Sequence, residues 1–416
     1  MDFIRKLASR QLLKDSTKIS ESFTNKAIYC GFDPTAPSLH LGHLATLNAL
    51  VYASSLNYQP IAILGTSTGL IGDPSGKSES RPLLSPSTIT SNANSISSQL
   101  QNLFQNLQKK AKIPEIPLKV IQNHTFYTDL NLINFLRDFG YYFPISPLLS
   151  RDFISQRADG VTYTEFSYSL LQAYDFFRLF QDFNCIGQLG GSDQWFNITS
   201  GTELIRKKTG KATFGCTIPL LTTKDGKKFG KTEGNALFLQ SSLTNPYDLY
   251  QYCFNQPDDL IESLLYRLTF VDETEIKEIL KDPLEHRTGQ KKLGFEILDI
   301  VYGEDIAKGT QRVCEILFSE EYFKMNWKDF QVLEGFVKSV KVDSKDLGKE
   351  LGVILKEKGV FASGKEARRA LDGKSVKVNG KTQGVESKSS DFQWIEGKFC
   401  VLSVGKKNVY LLVLEN

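Results

Sequence analysis

The stretch AIYCGFDPTAPSLHLGHLAT, residues 27–46, reads as a buried strand that empties into a tight loop and then a helix. Residues 27–32 are apolar and rich in β-formers. Asp33-Pro34-Thr35 and Ala36-Pro37-Ser38 supply turn chemistry. Ser38 is then placed to cap a helix that carries His40 and His43. A spacing of three puts the two imidazoles on one helical face, one turn from an N-terminus whose free N–H groups and dipole favour phosphate. Gly42 between them leaves room for close approach to that helix. The bare pair also fits half of a metal site or a surface coincidence, so the rest of the chain has to decide.

Working outward, the helix of residues 41–56 is followed by Pro60-Ile61-Ala62-Ile63-Leu64-Gly65, a second buried strand. Strand, helix, strand predicts a parallel, doubly wound sheet, in which ligands lie beyond the carboxyl ends of the strands. The next loop, TSTGLIGDPSGKSESR over residues 66–81, holds Gly76-Lys77-Ser78 but has Ile71 where a P-loop needs its first glycine. By its residues alone it is either a flexible polar loop or a phosphate-binding one. Residues 85–112 are rich in Ser, Asn and Gln, yet Ile89, Ile96, Leu100, Leu103, Phe104 and Leu107 recur at helical spacing and predict a surface helix. A strand over 118–122 and a helix over 131–143 follow, the helix ending near Gly140. Its aromatics Phe139, Tyr141, Tyr142 and Phe143 read by themselves as part of an internal core.

Three later stretches carry chemistry. Residues 162–180, TYTEFSYSLLQAYDFFRLF, form a strongly apolar helix whose polar exceptions Tyr168, Gln172 and Asp175 line up on one face. A carboxylate there costs several kcal/mol unless paired, so Asp175 either meets Arg178 in a salt bridge or faces a ligand pocket. QLGGSDQWFN, residues 188–197, follows a strand over 185–189; its glycines admit a ligand against backbone, and Asp193 just past a strand suits a ribose diol. Its bland alternative is a turn before a helix. KKFGKT, residues 227–232, follows a strand over 215–221 and reads either as a solvated hairpin or as two lysines aimed at phosphate.

With 416 residues, the chain is long enough for two or three domains. No apolar run reaches the roughly 20 residues of a membrane span. The six cysteines, with no C-x-x-C pair among them, argue against a structural zinc and fit a reducing compartment. A net charge of +3 is small, but residues 349–416 hold thirteen Lys or Arg against eight Asp or Glu, which concentrates the positive charge in the tail. There VFASGKEARRALDGKSVKVNGK, residues 360–381, predicts a helix bearing Lys365, Arg368 and Arg369, then short strands joined at Asn379-Gly380. That helix is either a solvated basic face or a phosphate contact.

In their order along the chain, HLGH, the Tyr168/Gln172/Asp175 face, GGSDQW and KFGKT resemble the class I aminoacyl-tRNA synthetases, HLGH and KFGKT matching their HIGH and KMSKS signatures. The run YCGFDPTAPSLHLGH, residues 29–43, is similar to that of tyrosyl-tRNA synthetases of bacteria and organelles. The resemblance implies a Rossmann-like α/β catalytic domain that activates tyrosine with ATP as tyrosyl-adenylate and transfers it to tRNA(Tyr). By this resemblance Thr35, His40, His43, Lys77, Arg81, Lys228, Lys231 and Thr232 stabilise charge on the phosphates, with no side chain acting as nucleophile. Tyrosine is implied at Tyr29, Asp73, Tyr168, Gln172, Asp175, Gln188 and Gln194, with Asp73, Tyr168 and Gln172 near its ammonium and Asp175 with Tyr29 on its phenol hydroxyl. ATP is implied at Cys30, Gly31, Asp33, Gly42, Thr46, Gly191, Asp193 and Lys231, with Asp193 on the ribose. Magnesium is expected to arrive with ATP, and no prosthetic group is expected. Phe196 stands where the family pattern leads one to expect glycine.

The expected organisation is a catalytic domain over 1–222, the KFGKT loop and connection over 223–244, an α-helical anticodon-side domain over 245–325, a linker over 326–348 and a small α+β S4-type RNA-binding module over 349–416. Lys365, Arg368 and Arg369 would contact tRNA phosphates. For the aromatics of residues 139–143 the resemblance implies instead a face covered by a second copy of the chain. A homodimer without membrane contact is expected. The N-terminal MDFIRKLASRQLLKD is basic and partly amphipathic, but the first strand follows so soon that it reads as the fold's first helix, which favours a cytoplasmic enzyme over a mitochondrial or plastid one. A tryptophanyl specificity competes less well, since an indole has no hydroxyl for Tyr29 and Asp175. A noncatalytic RNA-binding or splicing protein on the same fold is the remaining alternative.

Overall fold

The computed structural model describes residues 2–18, 26–75, 83–144, 162–222, 229–230, 236–405 and 408–415. It divides into two compact units, residues 1–244 with 257–289, and residues 245–256 with 290–416.

The first unit is built on a six-stranded sheet of β1 (Asp15–Ser16), β2 (Ala27–Phe32), β3 (Gln59–Leu64), β4 (Lys119–Gln122), β5 (Cys185–Gly191) and β6 (Phe214–Ile218), ordered β1-β6-β5-β2-β3-β4. All pairings are parallel except that of β1 with β6. From β2 the chain winds outward through β3 to β4, then returns to lay β5 on the other side of β2. The order therefore reverses between β2 and β5, and a doubly wound sheet opens its ligand crevice at such a point. Near-continuous burial of β2, β3, β5 and β6 is what a sheet covered on both faces demands.

The helices of this unit are α1 (Asp2–Ser9), α2 (His43–Ser54), α3 (Thr68–Ile71), α4 (Pro86–Ala111), α5 (Leu132–Asp138), α6 (Tyr163–Phe183) and α7 (Trp195–Thr209). Helix α4 is the expected amphipathic surface helix, with Ser85 capping it through Thr88 N at 3.1 Å and its apolar stripe buried. Helix α6 opens on a capping box between Thr162 and Glu165. Phe139 packs edge-on against Tyr174 and Phe177, as an internal core demands, whereas Tyr141 is 83% exposed, and Leu132 and Ile133 of α5 are exposed too.

Residues 245–325 are helical as expected but are not one domain. The segment 257–289, holding helices Asp258–Leu268 and Glu273–Ile279, belongs to the first unit. Arg10, 7% exposed, explains this: its guanidinium donates to the carbonyls of Leu265, Tyr266, Thr269 and Val271. Asn48 of α2 adds a bond to the Arg267 carbonyl at 2.9 Å.

The second unit ends in a five-stranded sheet of β7 (Lys338–Asp343), β8 (Val376–Val378), β9 (Lys381–Thr382), β10 (Phe399–Val404) and β11 (Asn408–Glu415), ordered β7-β11-β10-β8-β9. The expected linker over 326–348 is corrected here. It holds the helix Trp327–Glu334, capped reciprocally by Asn326 and Asp329, and strand β7, which pairs in parallel with β11. Mixed charge conceals it, because only Val340 and Val342 are buried, while Ser339, Lys341 and Asp343 alternate with them on the opposite face. The Asn379-Gly380 turn between β8 and β9 is as expected, both residues lying at positive φ. Helix Gly364–Asp372 is capped by Ser363 and leaves Lys365, Arg368 and Arg369 exposed.

Replacing Arg10 by Met removes the bonds of its guanidinium to four carbonyls, of which that of Leu265 keeps the donors of Thr269, and is expected to lower the stability of the first unit by about 3 kcal/mol, read as a shift of its urea unfolding midpoint.

Candidate active site

A cleft of about 320 Å³ opens where the sheet order reverses. Strand β2 contributes Tyr29, Cys30 and Gly31, and the loop after it Asp33 and Thr35. The HLGH segment brings His40, Gly42, His43 and, on the first turns of α2, Thr46. Asp73 comes from beyond α3, Tyr168, Gln172 and Asp175 from α6, and Gln188, Gly191, Asp193 and Gln194 from β5 and the turn beyond it. These expected residues are thus one site. Lys77, Arg81, Lys228, Lys231 and Thr232 lie outside the described residues.

The histidines are arranged differently from the expectation. Ser38 caps no helix: its hydroxyl donates to the Leu39 carbonyl, and it exchanges bonds with Gln99 of α4. Helix α2 starts only at His43, so His40 precedes it, in an isolated bridge with Phe238. The rings still meet, stacked with centroids 3.8 Å apart. His43 Nδ1 accepts the N–H of His40 at 3.1 Å, and His40 Nδ1 accepts that of Gly42 at 3.2 Å. With both Nδ1 lone pairs used by backbone, Nε2–H is the group each ring can donate to an anion. Phe229 and Gly230, the centre of KKFGKT, pack beneath this segment. Gly230 sits at φ +81°, where a Cβ would come within 3.1 Å of Leu41, and Leu237 N–H closes on its carbonyl at 2.7 Å.

At the far end of the cleft Asp175 is 3% exposed. Arg178 does not pair with it. That guanidinium binds Asp182 one turn on at 3.0 Å, and also reaches the Tyr174 hydroxyl. Asp175 is held instead by two donors that sequence reasoning missed: Asn123 Nδ2 on Oδ2 and the Tyr127 hydroxyl on Oδ1, each at 2.8 Å. Burial pushes its carboxyl up to about 7, against the downward pull of these two bonds. The Tyr29 hydroxyl is buried nearby with no hydrogen-bond partner, and burial together with the Asp175 charge drives it well above the usual phenol range.

Three further acids line the cleft, Asp33, Asp73 and Asp193. Asp33 accepts the Tyr168 hydroxyl at 2.7 Å and that of Thr68 at 3.0 Å. Asp73, also raised by burial, accepts Gln194 Nε2 at 2.5 Å and the N–H of Ser75 at 3.0 Å. Asn197 ties this corner together through Asp73, Gln194 and the Ser169 hydroxyl. Gln188 keeps a buried Oε1 without a partner. Asn123 had one legible signal: it directly follows a parallel strand, the position where such sheets place ligand-facing groups. A cleft with carboxylates at one end and imidazole N–H donors at the other suits a ligand that is cationic and hydroxylic at the first and anionic at the second. Among the described residues no group of three His, Cys, Asp or Glu gathers to hold a metal ion.

Because the folded protein holds the Asp175 proton more tightly than the unfolded chain does, this residue's contribution is fully present below the ordinary carboxylate range and is lost as the pH rises to about 7. Asp175→Asn lacks that loss. The stability gap between variant and unliganded wild type is expected to widen in the variant's favour from about pH 4 to about pH 7, by at most roughly 4 kcal/mol, and then stay level, as urea titrations across that range will read.

Residues 23–319 match the family model described as tRNA synthetases class I (W and Y), and residues 330–413 that of the tyrosine–tRNA ligase SYY-like C-terminal domain. Tyrosine–tRNA ligase 1 of Bacillus anthracis is 39% identical over 396 residues, 92% of each chain. The tyrosine–tRNA ligase of Geobacillus stearothermophilus is 38% identical over 99% of each chain. Among solved structures, the C-terminally truncated mitochondrial tyrosyl-tRNA synthetase of Aspergillus nidulans superposes with a TM-score of 0.68 at 28% identity, covering 76% of this chain and 94% of that one. The likeness extends through both units, and the chain belongs to the class I tRNA synthetases, within their tyrosyl-tRNA synthetase family.

Proposed function

We propose that the chain is a tyrosine–tRNA ligase, which joins tyrosine to ATP as tyrosyl-adenylate with release of pyrophosphate and then passes the tyrosyl group to the 3′ end of tRNA(Tyr). The observation that carries this reading is the end of the cleft. An unpartnered, buried Tyr29 hydroxyl and a fixed Asp175 carboxylate form a slot that a phenol hydroxyl satisfies and a phenyl ring leaves stranded. A site built around such polar groups rejects the analogue that lacks the hydroxyl without an editing domain. An indole offers no hydroxyl either, which disfavours tryptophan.

In this reading Asp73, Tyr168 and Gln172 receive the substrate ammonium, which places the tyrosine carboxylate toward the HLGH end. The carboxylate attacks the α-phosphorus of ATP, and pyrophosphate leaves. Thr35, with the Nε2–H groups of His40 and His43, stabilises charge that develops on the phosphates, and positioning supplies the rest. Asp193 and Gly191 receive the ribose side of ATP. Lys77, Arg81, Lys228, Lys231 and Thr232 are assigned to phosphate on their motifs alone. Magnesium enters with ATP, held by its phosphates, where it neutralises the leaving pyrophosphate.

The exposed Leu132, Ile133 and Tyr141 support a homodimer through this face. The exposed Lys365, Arg368 and Arg369 support tRNA contact by the second unit. Six free, buried cysteines support a cytoplasmic setting, and no described helix is long and apolar enough to cross a membrane.

ATP–pyrophosphate exchange with tyrosine, phenylalanine and tryptophan tests the reading. Exchange is expected with tyrosine only and is lost in Asp175→Ala; wild type that exchanges none of the three overturns it in favour of a noncatalytic RNA-binding role. For the tail, Arg368→Ala with Arg369→Ala is expected to weaken tRNA binding and to flatten the log affinity against log salt plot by about one unit per arginine, measured by filter binding.

A further inference from the structure

Each oxygen of Asp175 is occupied by a different neutral donor, Asn123 on Oδ2 and Tyr127 on Oδ1. The Tyr127 hydroxyl also lies 3.0 Å from the Leu171 carbonyl, one helical turn before Asp175. It has a single proton to give, and a carboxylate outcompetes a helix carbonyl for it. The Tyr127 ring packs against that of Tyr174, centroids 5.5 Å apart, which fixes the direction of its hydroxyl. Tyr127 itself stays a donor, because burial and the Asp175 charge drive its phenol far above the usual range.

The titratable groups facing Asp175 from the elements around it are Tyr29 on β2, Asp33 in the loop after β2, Tyr127 beyond β4 and Tyr168 on α6. All four are acids, so none brings positive charge to the carboxylate. Its ionised form depends on the two hydrogen bonds.

We propose that Tyr127 is a positioning residue for tyrosine selection: its hydroxyl, with the Asn123 amide, fixes the Asp175 carboxylate so that the lone pairs left over receive the substrate phenol. This rests on the ligase reading and extends it to the source of the specificity. Without the Tyr127 hydroxyl Asp175 keeps one donor, turns more freely and takes up a proton more readily. A protonated carboxyl accepts the phenol proton more weakly than the carboxylate does, and the distinction between tyrosine and phenylalanine narrows.

The test is Tyr127→Phe, which removes one oxygen and leaves the ring, assayed by ATP–pyrophosphate exchange from about pH 6 to 9. The kcat/KM for tyrosine is expected to fall about tenfold near neutrality, its acidic limb to move up by about one pH unit, and that for phenylalanine to change less than about twofold. An acidic limb that stays in place while both amino acids lose activity alike would mean that Tyr127 only packs, and the proposal is wrong. Wild type that activates no tyrosine would bring down the ligase reading and this inference with it, a result distinct from a null effect of the variant.

Discussion

A carboxylate held 3% exposed among acids and neutral donors is the constraint to which the first unit is fitted. Desolvating Asp175 costs several kcal/mol, and a lysine or arginine beside it would remove that cost but also occupy the lone pairs the site needs. The fold meets the demand with neutral donors. Strand β4 stops at Gln122 so that Asn123 and Tyr127 reach back to α6, and β2 carries Tyr29 to the same point from the other side. Arg178, the one cation nearby in sequence, is turned outward to Asp182.

The opposite end of the cleft answers a different demand, that of holding two imidazoles in contact. Two imidazoles stacked at 3.8 Å would repel if both were charged. Backbone N–H groups directed at both Nδ1 atoms favour the neutral, Nε2–H form of each ring. At the Asp175 end, Asn123 also donates to the Thr68 hydroxyl, which in turn donates to Asp33, the acceptor of Tyr168. One hydrogen-bonded chain thus runs from Asp175 to Asp33 and Tyr168.

The strands, the face of α6 and the Asn379-Gly380 turn were legible in the sequence because each depends on periodicity or on backbone chemistry within a few residues. What escaped depended on distant partners. Ser38 looked like a cap until Gln99, 61 residues away, claimed its hydroxyl. Nothing near Tyr127 in the sequence marks it, because its partner Asp175 lies on a helix 48 residues on. Residues 326–348 looked like a linker because β7 pairs with the last strand of the chain and shows only two buried valines of its own. Arg178, one of the two alternatives the sequence leaves open for Asp175, pairs instead with the acid four residues on.

Arg10 bears on how the polypeptide is made. It precedes every strand of the sheet, yet the carbonyls that satisfy its guanidinium end at Val271, 261 residues later. During synthesis the ribosome must release that later segment from its tunnel before α1 and the helix Asp258–Leu268 can be fastened together. Until then Phe3 and Leu7 can pack α1 on the sheet, but the bonds that join Arg10 to the last segment of the unit are missing. A chain halted short of that point leaves the Arg10 guanidinium without its carbonyl acceptors, so the first unit closes only once its own last segment has been made.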